Sequence, residues 1–343
     1  MRNKTHEEKM SQLYVNEPSA QVGVRDGRIE IKYSDGMNKS LPIESIDGIS
    51  LFGPVSISTH CIRECIERGI DVQYYSTTGK YFGRLGSTSH VNVARQRMQA
   101  RLGDNESFRL ALAKRIIRAK IHNQTVVLRR YTRSSDTIVD QEITAMKNYE
   151  AKIEGCQKID ELMGYEGIAA RSYYDALSTL VVPEFRFTGR SRQPPLDAFN
   201  SMLSLGYTIL MYAVYGALEN RGLNPYFGFL HSDADKHPTL ASDMMEEWRA
   251  VIVDSVVMSM VNGHEIKSEN FYSVPDEPGI YLDKTGFNAF IGKLERRFAV
   301  DQKYLHDAEY AVSFRRAINL QALSLAQAIE AEDAGLYTPI IVR

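Results

Sequence analysis

The sequence predicts an α+β protein: a small N-terminal β domain of sheets with one short helix, then a larger, mostly α-helical domain. Three observations carry this. Alternating apolar runs flank the dipeptide Asp26-Gly27 in "VGVRDGRIEIKY", a strong two-residue hairpin signal. A Gly/Ser/Thr-rich stretch, "GSTSHV", follows at 86–91, and turn signals then become rare. From 106 to 133 the residues Leu110, Ala113, Ile117, Ile121, Gln124, Leu128 and Tyr131 recur at helical spacing as one apolar stripe. The expected division is a polar extension over 1–10, a β domain over 11–86, a linker over 87–93 and a helical domain over 94–343.

The opening "MRNKTHEEKM" has no apolar h-region and does not read as a signal peptide; Met10 is a second candidate start. After the first hairpin, "LPIESIDGISLFG" and "PVSIS" continue the extended pattern. "THCIRECIERGI" reads as a short amphipathic helix ended by Gly69, with Cys61, Cys65 and Ile66 on one side. "DVQYYS", "TTG" and "KYFGRLG" form a second hairpin pattern. Beyond the helix over 106–133, further helices are expected over 136–162, 166–180, 195–221, 240–262, 285–298 and 303–332. "FYSVPDEPGIYLD" at 271–283 reads as a small hairpin. The apolar run "YTILMYAVYGAL" at 207–218 is too short to cross a bilayer and suits a buried core helix. Three cysteines give no disulfide framework; they fit packing thiols in a cytoplasmic protein.

A net charge of −2 conceals strong asymmetry. Residues 84–133 carry twelve Lys and Arg against Asp104 and Glu106, whereas 134–179 hold nine acids against four bases. A concentrated basic segment in a near-neutral chain points to a face for a polyanion. On a helical wheel Arg115, Arg118, Arg129, Arg130 and Arg133 fall roughly opposite the apolar stripe. The competing reading is that some of these arginines pair with the acidic segment inside the fold.

The chemistry concentrates in "GFLHSDADKHPTLASDMMEEWR", residues 228–249. An apolar run delivers His231, and Pro238 favours a tight return into an acidic helix. On that helix Asp243 and Glu246 stand about 60° apart, and Asp243 and Glu247 about 40°. Asp243 and Glu246 can reach one ion, while Met244, Met245 and Trp248 turn to the other side. A histidine with carboxylates suits Mg²⁺ or Mn²⁺. The alternative is a wet acidic face complementing the helix dipole. "MGYEGIAARSYYDAL" at 163–177 offers Glu166 at the start of a helix as a further ligand. In "RFTGRSRQPPLDAFNSMLSLGYTIL" at 186–210, Arg186, Arg190 and Arg192 crowd a loop ahead of two prolines, and Asp197 falls in the first helical turn. Loop arginines beside metal carboxylates are natural phosphate clamps.

These segments, in order and spacing, resemble the CRISPR adaptation integrase family, the metal-dependent DNA-joining endonuclease subunit that inserts new spacers. The matching elements are "MGYEGIAARSYYDAL", "GRSRQPPLDAFNSMLSLGYTIL", "GLNPYFGFLH" and "LASDMMEEWR", with "LPIESIDGISLFG" and "CIERGIDVQYYSTTGKYFGRL" in the β domain. The resemblance implies Glu166, His231 and Glu246 as ligands of Mg²⁺ or Mn²⁺, with Asp243 adjacent in a catalytic site. Helical spacing alone does not choose Glu246 over Glu247; the family pattern does. The implied reaction is a transesterification in which a 3′-hydroxyl of protospacer DNA attacks a phosphodiester of the repeat array. Water in place of that hydroxyl would give hydrolysis. Implied partners are double-stranded DNA, a second copy of the chain, and a small ferredoxin-like companion subunit, with no membrane. Candidate DNA contacts are Arg115, Arg118, Arg129, Arg130, Arg190, Arg192, Arg315 and Arg316. The rival readings are a stand-alone metal-dependent nuclease or phosphodiesterase, and a non-catalytic DNA-binding scaffold.

Overall fold

In the computed structural model Asp26 and Gly27 both adopt positive φ, 49° and 71°. This is the left-handed backbone that a two-residue hairpin turn demands and that Gly tolerates without strain. The structure describes residues 12–133, 137–274, 278–299, 301–302 and 311–343. The extension over 1–10 and the candidate start Met10 lie outside the described residues. The chain divides between Ser89 and His90 into two compact units.

The first unit contains β1 (Gln12–Val15), β2 (Gln21–Arg25), β3 (Arg28–Lys32), β4 (Asn38–Pro42), β5 (Gly48–Phe52), β6 (Ser56–Ile57), α1 (Thr59–Glu67), β7 (Asp71–Tyr75) and β8 (Tyr81–Leu85). They form two four-stranded sheets, ordered β1-β5-β7-β8 and β4-β3-β2-β6. In the first sheet β5 runs parallel to β1 and β7, and β8 closes antiparallel to β7. In the second, β2-β3 and β3-β4 are antiparallel, and β6 adds parallel to β2. Ile49, Leu51 and Val72 from one sheet pack with Val22, Ile29 and Ile31 from the other and with Cys61 and Cys65 from α1. Ser58 caps α1 by accepting from the Cys61 N–H. All three cysteines are free and buried, as packing thiols should be.

The second unit opens with a helix that the sequence reading did not separate, α2 (Val93–Gly103), capped by Asn92. There follow α3 (Glu106–Thr132), α4 (Asp140–Ile153), α5 (Ile159–Thr179), α6 (Ala198–Glu219), α7 (Thr239–Met245) and α8 (Ser255–Asn262). The hairpin β9 (Phe271–Ser273) and β10 (Ile280–Leu282), then α9 (Lys284–Ala299), come next. The short pair β11 (Asp301–Gln302) and β12 (Val312–Ser313), then α10 (Phe314–Glu330), complete the unit.

Four expectations need correction. The helix expected over 136–162 ends at Ile153, and α5 begins at Ile159, so Glu166 lies two turns inside α5 rather than at a helix start. Gly164 and Gly167, which flank Glu166, are both helical, which costs about 1 kcal/mol each against alanine but does not break a packed helix. The helix expected over 240–262 is interrupted: α7 stops at Met245, residues 246–248 turn, and a wide π segment at Ala250–Asp254 leads into α8. The single stripe on α3 is too narrow a description. Ile116, Ala119, Lys120, Asn123 and Val127 are buried besides the stripe, because α2, α4, α5 and the π segment all pack on this helix. Finally, the run at 207–218 belongs to a 22-residue helix, the one described helix long and apolar enough to cross a membrane; here its apolar length is largely buried in the fold, packed against α7 and α10. Of the helix expected over 303–332, residues 303–310 lie outside the described residues, and α10 covers the rest.

Candidate active site

Asp243 organises the His231 side of the site. Its carboxylate is fully buried and accepts the backbone N–H groups of Phe229 at 2.8 Å, Leu230 at 2.9 Å and His231 at 3.1 Å. It also meets His231 Nδ1 at 2.6 Å. Gly228 permits this closeness, since a Cβ there would stand 2.9 Å from Asp243 Oδ2 and 2.4 Å from Thr239 Cγ2. With Nδ1 donating to Asp243, the neutral ring keeps its lone pair on Nε2. The hydrogen bond to Asp243 raises the His231 pKa, against the opposing effect of burial. His231 borders an open cavity of about 450 Å³ that is also lined by Arg109, Phe227 and Asp233.

Glu166 and Glu246 meet through a residue the sequence reading counted only as a surface charge. Lys120, on α3, contacts Glu166 and lies 2.6 Å from Glu246 Oε2. Arg249 Nη1 holds the other oxygen of Glu246 at 2.7 Å. Burial opposes the charge on Glu246, yet Arg249 and Lys120 outweigh it and hold the carboxyl well below its usual range. For Lys120, likewise, burial is overcome by Glu246 and Glu166, and the ammonium is raised above its usual value. His231 and Glu246 lie within electrostatic reach of one another.

The acids of 243–247 therefore do not share a wet face. Asp243, Glu246 and Glu247 are 0%, 5% and 0% exposed, and each has different partners. Glu247 accepts from Tyr337 Oη at 2.7 Å, Gln321 Nε2 at 3.1 Å and the Ile340 N–H at 2.6 Å. Burial pushes its carboxyl up to about 8 despite those bonds. Glu247 is thus a structural anchor, and Asp243 orients His231 rather than offering an open ligand oxygen.

Behind Arg249 lies a buried polar chain. The guanidinium sits 4.3 Å from the Tyr207 ring centroid, Tyr207 donates to Asp254, and Tyr173 donates to the same carboxylate at 2.7 Å. Lys120, Arg249, Tyr207 and Asp254 were all missed from sequence. Lys120 carried only a weak signal: it lies on the flank of the apolar stripe, about 60° round the helix from Ile117.

Among the described residues, no three His, Cys, Asp or Glu side chains converge as a metal-ligating group. The donors themselves fit a hard divalent cation: two carboxylates and an imidazole whose Nδ1 is already engaged. Glu246 Oε2 is buried and faces the Lys120 ammonium, at 2.6 Å.

The candidate DNA arginines divide. Arg118 and Arg129 are exposed on α3, and Arg118 pairs with Glu154 of the acidic segment at 3.4 Å. The internal-pairing reading holds there. Arg115 is half-buried and donates to Tyr337 O at 3.2 Å. Arg115 and Arg118 line a cavity of about 880 Å³ with Lys114, His122 and Glu150. Arg130 is half-buried, and desolvation lowers its pKa. Arg190 donates to Asn200 Oδ1 at 2.7 Å and Ser204 Oγ at 3.1 Å and lies 5.2 Å from the Tyr207 ring centroid, so it braces the loop instead of standing free as a clamp. Asp197 caps α6, accepting from the Asn200 N–H at 2.7 Å. Arg186, Arg192 and Arg316 are exposed. Arg315 is held by both oxygens of Glu295, each at 2.7 Å, and is used within the fold.

Comparison with known proteins places the chain and its fold. The family model described as CRISPR associated protein Cas1 matches residues 13–296. A CRISPR-associated endonuclease Cas1 from Mycobacterium tuberculosis is 38% identical over 323 residues, covering 94% of this chain and 95% of the relative. Among solved structures, a chain of a Cas6-RT-Cas1–Cas2 complex superposes with a TM-score of 0.81 at 25% identity over 97% of this chain. The present chain spans 36% of that one. A casposase bound to integration product shares the fold, with a TM-score of 0.82 at 23% identity, over 95% of this chain and 91% of the casposase.

Proposed function

The chain belongs to the CRISPR-associated Cas1 family, and on that premise we propose that it is a metal-dependent DNA endonuclease and integrase that joins spacer DNA to a repeat array. One observation supports this most. Lys120 of α3 contacts both Glu166 of α5 and Glu246 of the turn after α7, and Asp243 holds His231 of the preceding loop within electrostatic reach of Glu246. Glu166, Glu246 and His231 would hold Mg²⁺ or Mn²⁺, which when bound supplies Lewis-acid stabilisation of a phosphodiester undergoing in-line displacement.

The remaining chemistry belongs to the chain's own residues. Asp243 keeps His231 Nδ1 engaged, so that the neutral ring keeps its lone pair on Nε2. Arg249 fixes Glu246 from behind and leaves Oε2 turned toward Lys120. The attacking oxygen is the 3′-hydroxyl of the incoming strand. The three cysteines are buried, so none is placed to act as a protein nucleophile, and attack needs no covalent enzyme intermediate. Exposed Arg118, Arg129 and Arg192 would contact phosphates, fixing register without reading sequence. The likeness to a chain of a Cas1–Cas2 complex supports a small companion subunit as partner, and we extend the proposal to a homodimer working in the cytoplasm.

The test is strand transfer into a supercoiled array plasmid, with Mg²⁺ or Mn²⁺ and the companion subunit. Glu166→Ala, His231→Ala and Glu246→Gln are expected to abolish joining while DNA affinity stays near wild type. Joining that persists in EDTA defeats the metal-dependent reading. Cleavage without joining, under conditions where the companion binds, favours the stand-alone nuclease instead.

A further inference from the structure

Lys120 is only 7% exposed, on the packed side of α3. Removing an ammonium from water costs several kcal/mol unless carboxylates compensate it. Lys120 has two, Glu166 and Glu246, and the second is already paired with Arg249. Two cations and two carboxylates balance, and that balance is what a buried cluster needs in the absence of another ion. The contact with Glu246 has a particular character. The ammonium nitrogen is 2.6 Å from Oε2, a close charge-assisted contact. A point charge on a flexible four-carbon stem is the kind of cation that a more highly charged one displaces from the same oxygens.

On the metal-dependent reading argued above, we propose that Lys120 is a positioning residue acting as an internal counter-ion. It holds Glu166 and Glu246 together and competes with the divalent cation for them, so that metal binding moves the ammonium off at least one carboxylate. A purely structural ion pair would keep both contacts.

The test reads metal binding, not joining. Full-length protein freed of metal with EDTA is titrated with Mn²⁺ by calorimetry, beside Lys120→Gln and Lys120→Met. The neutral variants are expected to bind Mn²⁺ at least tenfold more tightly, and saturating Mn²⁺ should raise their melting temperatures more than it raises that of wild type. Equal or weaker binding by a folded Lys120→Gln protein overturns the inference. Should both variants fail to fold without metal, a wild-type crystal structure with Mn²⁺ decides. Lys120 Nζ is expected beyond hydrogen-bond distance of Glu166 or Glu246. Mn²⁺ on those carboxylates, with Lys120 still bridging both, overturns the inference. A wild-type protein that binds no Mn²⁺ overturns the metal reading and this inference together. Wild-type binding that Lys120→Gln leaves unchanged overturns this inference alone.

Discussion

A single carboxylate, Asp243, takes hydrogen bonds from three consecutive peptide N–H groups and meets the ring of His231. Losing such a partner behind a metal-ligating histidine typically costs 10–100-fold in affinity or activity. Asp243→Asn should therefore lower both Mn²⁺ affinity and joining by about that factor. Asp243→Ala, which strands three buried donors, should lose roughly 3 kcal/mol or more of stability in a urea titration. Glu247 gives the opposite expectation at neutral pH. Its carboxyl is raised from 4.5 to about 8, so the folded chain keeps a proton that the unfolded chain has released. The stability from that proton is full below about 4.5 and is lost as pH climbs toward 8, with a slope of at most about 1.4 kcal/mol per pH unit. Glu247→Gln should flatten that decline while leaving the protein folded at pH 7. A wild-type minus variant difference that does not change between pH 5 and 8 would contradict it. Asp243, Glu246 and Glu247 stand within five residues, and a helical wheel treats them alike. Their roles separate only through His231, Lys120 and Tyr337, which lie elsewhere in the chain, so sequence spacing had no means of assigning them.

The helix α3 carries three separate functions on one element. Lys120 faces the glutamates, Asn123 donates to Glu247 O at 2.9 Å and Ile340 O at 2.8 Å, and Arg118 and Arg129 face solvent. Its extent was legible because the apolar period persists over 106–133, and the hairpins at Asp26-Gly27 and 271–283 were legible because their turn chemistry is local. The break after Met245 was not. It is stabilised by buried acids whose partners come from α3, α10 and the C-terminal segment, and no local propensity encodes such partners. Charge along α3 was legible as a total but not as a face, since Lys114 donates to Glu154 O and Arg115 to Tyr337 O. The exposed arginines yield the prediction at this scale. Arg118→Glu and Arg129→Glu should each weaken DNA binding and reduce the salt slope of log affinity by about 1, without altering the melting temperature. Arg315→Ala should do the reverse: the slope stays, and stability falls by about 1.5–3 kcal/mol as a charge-assisted pair with Glu295 is lost.

Across the whole second unit the site joins segments far apart in sequence. Lys120, Glu166, His231 and Glu246 span α3 to the turn after α7, and the C-terminal segment returns to the same region. Val342 N–H donates to Asn123 Oδ1 at 3.0 Å, and Ile340 N–H donates to Glu247. An ion bound to Glu166, His231 and Glu246 would tie these segments in the native state only, because the unfolded chain offers no assembled site. Linkage then fixes the magnitude. At a free Mn²⁺ concentration of 100 Kd, stability should rise by about 2.7 kcal/mol. For a unit of this size that is a shift of roughly 5–10 °C in melting temperature, taking about 2–4 °C per kcal/mol. EDTA should reverse it, and Glu166→Gln and His231→Ala should abolish it while melting cooperatively on their own. The C-terminal segment supplies the internal control. Ile340→Pro deletes the N–H that Glu247 accepts and should cost about 1–3 kcal/mol with or without metal. Because Ile340 contributes no ligand, its Mn²⁺-induced shift should stay close to that of wild type. A loss of that shift in Ile340→Pro would mean that the segment sets the ligand geometry itself, and not only the stability of the unit that carries it.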